Sequence, residues 1–334
     1  MKFIAIILAM LFDLLVSAKI HCQTPKIFLT GETQGTYYAI TYFDKKNRDM
    51  QDEVDSIFRL VDNSVSQWNA NSLINRINNN ETNVFPDEFF INNFKLAMEV
   101  SDNTDGYFDI TIGPLVSLWG FGLKKRIHVT PEMVVEKSKL VDYCKVQLLN
   151  GKIIKEDTAM RIDFNAIAQG YTVDVLASML MKAGIDRFII DVGGEIYANR
   201  TKPDGSRWSV GIEQPSVDKE SQRNIQQRVR LKNKGLATSG SYRNYFEENG
   251  KRFAHVIDPK TGYPVNHNLL SVTVLADNTA VADAYCTAFL AMGIEKSLRV
   301  IEKVHGLEAL FISGKDSTDF EIFVTKGFRK IMVE

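Results

Sequence analysis

Cysteine is nearly absent from this chain of 334 residues: of three, only Cys144 and Cys286 lie in its body. No disulfide framework can therefore hold the fold, one bridge between those two being the most that pairing could supply, and neither belongs to a metal-type CxxC. Net charge is also lacking. Forty Lys and Arg stand against 41 Asp and Glu, which excludes the basic field that non-specific nucleic-acid binding needs and leaves small molecules and proteins as the expected partners. No internal repeat or long low-complexity segment occurs. A GxGxxG fingerprint is missing as well, because Gly193 and Gly194 in DVGGEIY are followed by a strand pattern rather than a helix.

The hydrophobic content, 45%, is ample for one large domain or two modest ones. The one conspicuous apolar run is amino-terminal, in MKFIAIILAMLFDLLVSAKIHCQ, where Lys2 precedes a stretch interrupted by Asp13 and ending in the small residues Ser17 and Ala18. Too short before Asp13 to span a bilayer comfortably, it reads as an export signal over residues 1–22. Cleavage after Ala18 or before Gln23 fits. Lipid attachment at Cys22 is a third reading, although Lys19, Ile20 and His21 make a poor lipobox, and an uncleaved hydrophobic tail is a fourth.

Apolar residues recur at helical spacing over 52–62 and 87–100, Thr130 before Pro131 opens another helix, and residues 166–183 form a fourth, stopped by Gly184. Strands are expected at 187–192, 253–258, 269–276, 307–313 and 320–325, and the polar run from Ser216 to Arg230 reads as a solvated loop or a pair of edge strands. Helices and strands do not alternate regularly, which argues for an α+β fold over a doubly wound sheet.

Four segments carry potential chemistry. In ADNTAVADAYCTAFLAMG, residues 276–293, a helix capped by Thr279 places Asp283 and Thr287 on one face, four residues apart. That pair reads either as two hard oxygen ligands suited to Mg²⁺, or as a capping carboxylate beside a threonine bonded to its own i−4 carbonyl. In RIDFNAIAQGYTVDVLASMLMKAG, residues 161–184, a β-like lead into Asn165 as N-cap would present free first-turn amides and a positive dipole end, either to a phosphate or simply to a packed sheet. His255, in HVIDPKTGYP, is a core imidazole or a group for phosphate or proton handling. The stretch ATSGSYRNYF, residues 237–246, offers an amide-rich turn at Ser239–Ser241 with Arg243 facing an anion, or an ordinary hairpin with Arg243 exposed.

Taken in order, YFDITIGPLVSLWGFG (107–122), DFNAIAQGYTVD (163–174), DVGGEIYANR (191–200), ATSGSYRNYF (237–246), HVIDPKTGYPVNHNLLSVTV (255–274) and ADAYCTAFLAMG (282–293) resemble the ApbE family of FAD:protein FMN transferases over nearly all of residues 30–334. The resemblance implies a T-fold-like α+β domain over 30–334, with mixed sheets packed by helices and the flavin site in a cleft between two sub-domains. It implies metal ligation by the Ala166 carbonyl and the Asp283 and Thr287 side chains. It implies FAD contacts at Gln34, Trp68, Tyr107, Phe108, Asp109, Asp163, Gln169 and His255, with Trp68 as a stacking surface.

Three departures bear on that expectation. Gln34 and Gln169 stand where the family commonly has Met and Lys, so pyrophosphate binding leans harder on Mg²⁺ and on helix amides. Cys286 stands where some relatives carry Asp, which leaves one Mg²⁺ rather than two as the expectation. The implied reaction moves FMN from FAD to a Thr or Ser hydroxyl of an acceptor flavoprotein, releasing AMP, with Asp283 on the metal and His255 positioning phosphate or easing proton removal. Its rivals are a Mg²⁺-dependent FAD pyrophosphatase and a non-enzymatic FAD-binding lipoprotein. The implied location is the periplasm, at the inner membrane if the amino terminus anchors the chain, with acceptors among membrane redox subunits.

Overall fold

LLSVTVLA, residues 269–276, is apolar on both faces, the signature of a strand enclosed between two layers, and every one of its residues is buried. The structure is a computed structural model describing residues 24–121, 127–215, 224–241, 245–248, 251–314 and 319–333, with only the backbone course described at 245–248 and 251–254. The export segment 1–22, residues 216–223 of the polar run and Arg243 thus lie outside the described residues.

In chain order the elements are β1 Lys26–Thr33, β2 Thr36–Phe43, α1 Gln51–Val65, α2 Leu73–Asn78, α3 Glu88–Asn103, α4 Gly113–Leu118, α5 Pro131–Ser138, β3 Val146–Leu149, β4 Lys152–Lys155, α6 Ala168–Lys182, β5 Phe188–Val192, β6 Glu195–Asn199, β7 Trp208–Glu213, β8 Ile225–Leu231, β9 Lys234–Gly240, β10 Tyr245–Glu248, β11 Lys251–Ala254, β12 Leu269–Ala276, α7 Thr279–Met292, α8 Ile294–Lys303, β13 Glu308–Gly314, β14 Phe320–Val324, α9 Lys326–Arg329 and β15 Met332–Val333.

An eight-stranded sheet in the order β1-β2-β5-β6-β9-β12-β13-β14 forms the middle layer, and its pairings are antiparallel. On one face lie α6 and α7. Tyr38, Ile40 and Ile190 of the sheet pack with Val173 and Leu176 of α6, while Ala237, Val272 and Val274 pack with Ala282 and Phe289 of α7. On the other face a small sheet, β15-β8-β7, and α9 cover Ile196, Leu236, Leu275 and Leu310 with Trp208, Val210, Val229 and Phe328. Alternation along the strands sorts these sets, Leu236 pointing to one layer and Ala237 to the other. Full burial of a side chain such as Phe289 stabilises the fold by about 1.5–3 kcal/mol.

Several sequence expectations change. Residues 160–164 form no strand, and α6 begins at Ala168 without a side-chain cap. Asn165 does not cap it; its own N–H donates to Asp163 Oδ1 at 2.7 Å, drawing the chain into a turn. Asn278, not Thr279, caps α7: its Oδ1 accepts from Val281 N at 3.0 Å. The strand expected at 253–258 ends at Ala254, so His255 sits at the bend beyond it. The hairpin β1–β2, unforeseen, turns through Gln34 and Gly35, both left-handed at φ +48° and +72°, the backbone that a two-residue primed turn requires. Both body cysteines are free. Among the described residues no helix is long and apolar enough to cross a membrane.

Gly170 is where α6 and α7 cross. A Cβ there would lie 2.6 Å from Thr279 O, 2.8 Å from Asp283 Cβ and 2.9 Å from Ala280 Cα. Although alanine is the better helix former, Gly170→Ala is expected to lower stability by about 1–3 kcal/mol in urea unfolding, because two backbones must separate. An unchanged midpoint would show that the crossing is loose.

Candidate active site

A cleft of about 800 Å³ opens between the α6–α7–β9 body on one side and the segments 107–121 and 255–259 on the other. Its lining includes Tyr107, Phe108, Asp109, Asp163, Ala166, Gln169, His255, Asp283 and Thr287. Nine of the eleven residues singled out from the sequence therefore converge, from segments as far apart as the loop after α3 and α7.

Asp283 is the most constrained of them. It is 7% exposed, and its Oδ2 accepts from the Gly170 amide at 3.0 Å, while Oδ1 has no described hydrogen-bond partner. Burial, reinforced by the neighbouring Asp174, pushes its carboxyl up to about 7. Asp174 accepts from Thr279 N and Ala280 N, both at 2.8 Å. It thereby ties α6 to the first turn of α7, although burial still raises its carboxyl to about 6. One helical turn beyond Asp283, Thr287 Oγ1 lies 3.5 Å from Ser239 Oγ of β9. Cys286, on the sheet-facing side, donates to Ala237 O at 3.0 Å, and burial raises its thiol well above the ordinary value.

The first turn of α6 is less open to phosphate than the sequence implied. Ala168 N donates to Phe164 O, Tyr171 N to Ile167 O and Gly170 N to Asp283. Of these amides only that of Gln169 has no described partner.

Asp109 is fully engaged. Its carboxylate accepts from Thr111 N at 2.7 Å, Thr111 Oγ1 at 2.6 Å and Tyr143 N at 3.0 Å, which makes it the hub of the cleft's second wall. Asp163 follows Ile162, whose N–H and C=O both bond the buried side chain of Asn78, at 2.7 and 2.8 Å. Burial raises the carboxyls of both Asp109 and Asp163. His255 stands edge-on to Phe121, with ring centroids 6.4 Å apart.

Two sequence candidates fall outside the lining. Gln34 sits in the β1–β2 turn and donates to Asp62 Oδ1 at 3.2 Å and Thr172 Oγ1 at 3.1 Å, while its backbone O accepts from Gln169 Nε2 at 3.5 Å. The two glutamines that depart from the family pattern therefore meet. Trp68 is 67% exposed and off the lining; the aromatic surfaces inside the cleft are Tyr107, Phe108, Trp119 and Phe121. Trp119 is fixed by its indole N–H, which donates to Gly262 O at 2.8 Å. Among the lining residues passed over in the sequence, Glu195 is prominent: an 8% exposed acid on a strand, signalled only by its place after Gly193 and Gly194.

The cleft's charge is one-sided. Asp109, Asp163, Glu195 and Asp283 line it, and no Lys or Arg does among the described residues. Described cations stand beside it: Lys296 Nζ 4.4 Å and Lys260 Nζ 5.9 Å from the Tyr107 ring centroid, and Arg161, whose charge favours the ionised form of Asp163. A bound cation would offset that charge for an anionic ligand. The converging donors are all oxygens, namely a carboxylate, a hydroxyl and a carbonyl, which suits Mg²⁺. Among the described residues no three His, Cys, Asp or Glu side chains cluster as a metal cage, so a cation here would also need waters or substrate oxygens.

A sequence profile of the ApbE family matches residues 34–311. A FAD:protein FMN transferase of Haemophilus influenzae is 36% identical, over 99% of this chain and 98% of that protein. The solved structure of the flavin transferase ApbE from Vibrio cholerae superposes with a TM-score of 0.81 at 30% identity, covering 92% of this chain and 99% of that one. The apo flavinyl transferase ApbE of Pseudomonas stutzeri gives 0.82 at 30% identity, over 93% and 98%. An α+β domain with an oxygen-lined, acid-rich cleft is the class that fold and site define. The chain belongs to the ApbE family.

Carboxyls raised by burial bind protons more tightly in the folded than in the unfolded chain. Their contribution to stability is complete below about pH 4 and is lost as pH rises through about 6 for Asp174 and 7 for Asp283. Metal-free protein should lose up to about 4 kcal/mol between pH 5 and 8 on this account. Asp283→Asn should flatten that fall, and Mg²⁺ should raise Tm more at pH 8 than at pH 5. Calorimetry with EDTA and with Mg²⁺ checks it; an equal Mg²⁺ effect at both pH values would remove Asp283 from the metal site.

Proposed function

We propose that this protein transfers FMN from FAD to a Thr or Ser hydroxyl of an acceptor flavoprotein, releasing AMP. The observation that carries the reading is an acid-lined cleft without a described Lys or Arg, in a chain whose relatives are named FAD:protein FMN transferases. FAD is a dianion at its diphosphate, and Asp283, Thr287 and the Ala166 carbonyl would hold a Mg²⁺ that offsets this charge. When bound, that ion would offset phosphate charge and stabilise the charge gathering on the AMP leaving group.

The protein's own groups do the rest. Tyr107, Phe108, Trp119 and Phe121 provide apolar walls for the flavin and exclude water. His255, held against Phe121, positions the flavin-side phosphate and takes the proton of the incoming hydroxyl. In the transfer the acceptor oxygen–phosphorus bond forms, the bond from that phosphorus to the oxygen bridging the diphosphate breaks, and AMP departs. The product is an FMN phosphoester on the acceptor. Residues 1–22 direct export in this reading, and the enzyme acts in the periplasm, held at the inner membrane if Cys22 is lipidated.

Asp283→Ala should lower turnover by more than about a hundredfold, and added Mg²⁺ should not rescue it. The assay combines purified protein, FAD and Mg²⁺ with a soluble FMN-acceptor domain of a periplasm-facing redox subunit, read by in-gel flavin fluorescence. A fluorescent acceptor band with AMP release supports transfer. Free FMN and AMP without acceptor would make water the acceptor and the enzyme a pyrophosphatase, and tight FAD binding with no AMP under any condition would sink both.

A further inference from the structure

Beyond the cleft lies a second cavity, of about 380 Å³, on the opposite face of the large sheet. Its floor is the part of that face left uncovered by the small sheet: Ala39 and Thr41 of β2 with Ile189 and Asp191 of β5. The same face carries Phe28 of β1, opposite Thr41 and 59% exposed, and Tyr37, 38% exposed. One wall is β7, the outermost strand of the small sheet, which contributes Ser209 to Glu213.

The hydrogen-bond pattern makes that wall an open strand edge. Arg230 N of β8 donates to Ile331 O at 2.8 Å, toward β15. Ser209, opposite Arg230, is therefore in a pair that exchanges no bonds across β7–β8, and so is Gly211, two residues on and opposite Arg228. The N–H and C=O of Ser209 and Gly211 face the groove, and no described residue bonds them. Strands β1 and β14 are edges too, but neither contributes a residue to the two cavities.

Groove and cleft share part of their lining. Thr238 and Gly240 at the end of β9 line both, and at the start of β6 Glu195 lines the cleft while Ile196 lines the groove. A chain lying in the groove thus ends against the rim of the site where the hydroxyl is needed.

We propose that this groove docks the acceptor protein through an extended segment of about five residues, added as a strand to the open edge of β7, which delivers the adjacent Thr or Ser hydroxyl over Thr238–Gly240 into the cleft. The inference rests on the transferase reading above, which requires a second macromolecular substrate with access to the cleft. An extended backbone is the occupant that fits, because the wall presents backbone donors and acceptors and the small residues Ser209, Gly211 and Ala39 leave room for main chain at that separation.

Two variants test it with the acceptor domain that fluoresces in the transfer assay. Ser209→Pro removes an outward N–H without touching the ladder to β8, a place where edge strands tolerate proline. Thr41→Lys lays a long side chain across the floor. Each should raise the KM for the acceptor domain about tenfold or more while the affinity for FAD, read by flavin fluorescence, stays within about twofold. An unchanged acceptor KM in both variants overturns the proposal, also when either variant turns a self-associated protein monomeric, since the groove would then join copies of this chain. Parallel loss of FAD affinity in both overturns it as well, because the groove would then belong to the nucleotide site. Failure of the unmodified protein to label any acceptor domain is a different result, one that removes the transferase reading itself.

Discussion

The whole site depends on the contact between the Gly170 amide and the Asp283 carboxylate. A buried carboxylate is costly unless it is hydrogen-bonded and charge-compensated. The amide supplies the first requirement at 3.0 Å, and only because a glycine lets α7 approach α6 so closely. Asp174 makes a second tie across the same crossing, holding the first amides of α7. When ionised, these two acids repel each other, and in the proposed reading a cation beside Asp283 would offset that repulsion.

Charge sets the second constraint. Four carboxylates line the cleft, and no described Lys or Arg is among its lining residues, although Arg161 acts on Asp163 from outside the lining. Gln169, a departure from the expected family pattern, also lines the cleft and adds no charge. Its partner in space is Gln34, the other departure, and the two amides join the β1–β2 turn to the start of α6.

The two faces of the central sheet divide the work. The helix-covered face supplies the cleft, with its rigid carboxylates and hydroxyls, and the face toward the small sheet supplies a groove beside an unpaired edge. Exposed edges invite pairing with other chains and are usually blunted. Here β9 ends between groove and cleft, so the same short stretch from Thr238 to Gly240 borders both.

Periodicity and local composition were enough to read the long helices, the buried central strand β12 and the pairing of Asp283 with Thr287, because a helix fixes which residues share a face whatever surrounds it. The six ordered motifs brought nine of the eleven candidate residues to one cleft. What the sequence alone could not decide was set by contacts between distant segments. Local propensity favoured Thr279 and Asn165 as caps, but competing hydrogen bonds to Asp174 and Asp163 gave those residues other roles. Trp68 had the right chemistry for stacking, yet it lies outside the cleft lining, where Trp119 stands instead, anchored to Gly262 across 143 residues of chain. Glu195, the open edge of β7 and the meeting of Gln34 with Gln169 exist only once strands pair, since register and layer packing are long-range choices that no local window contains.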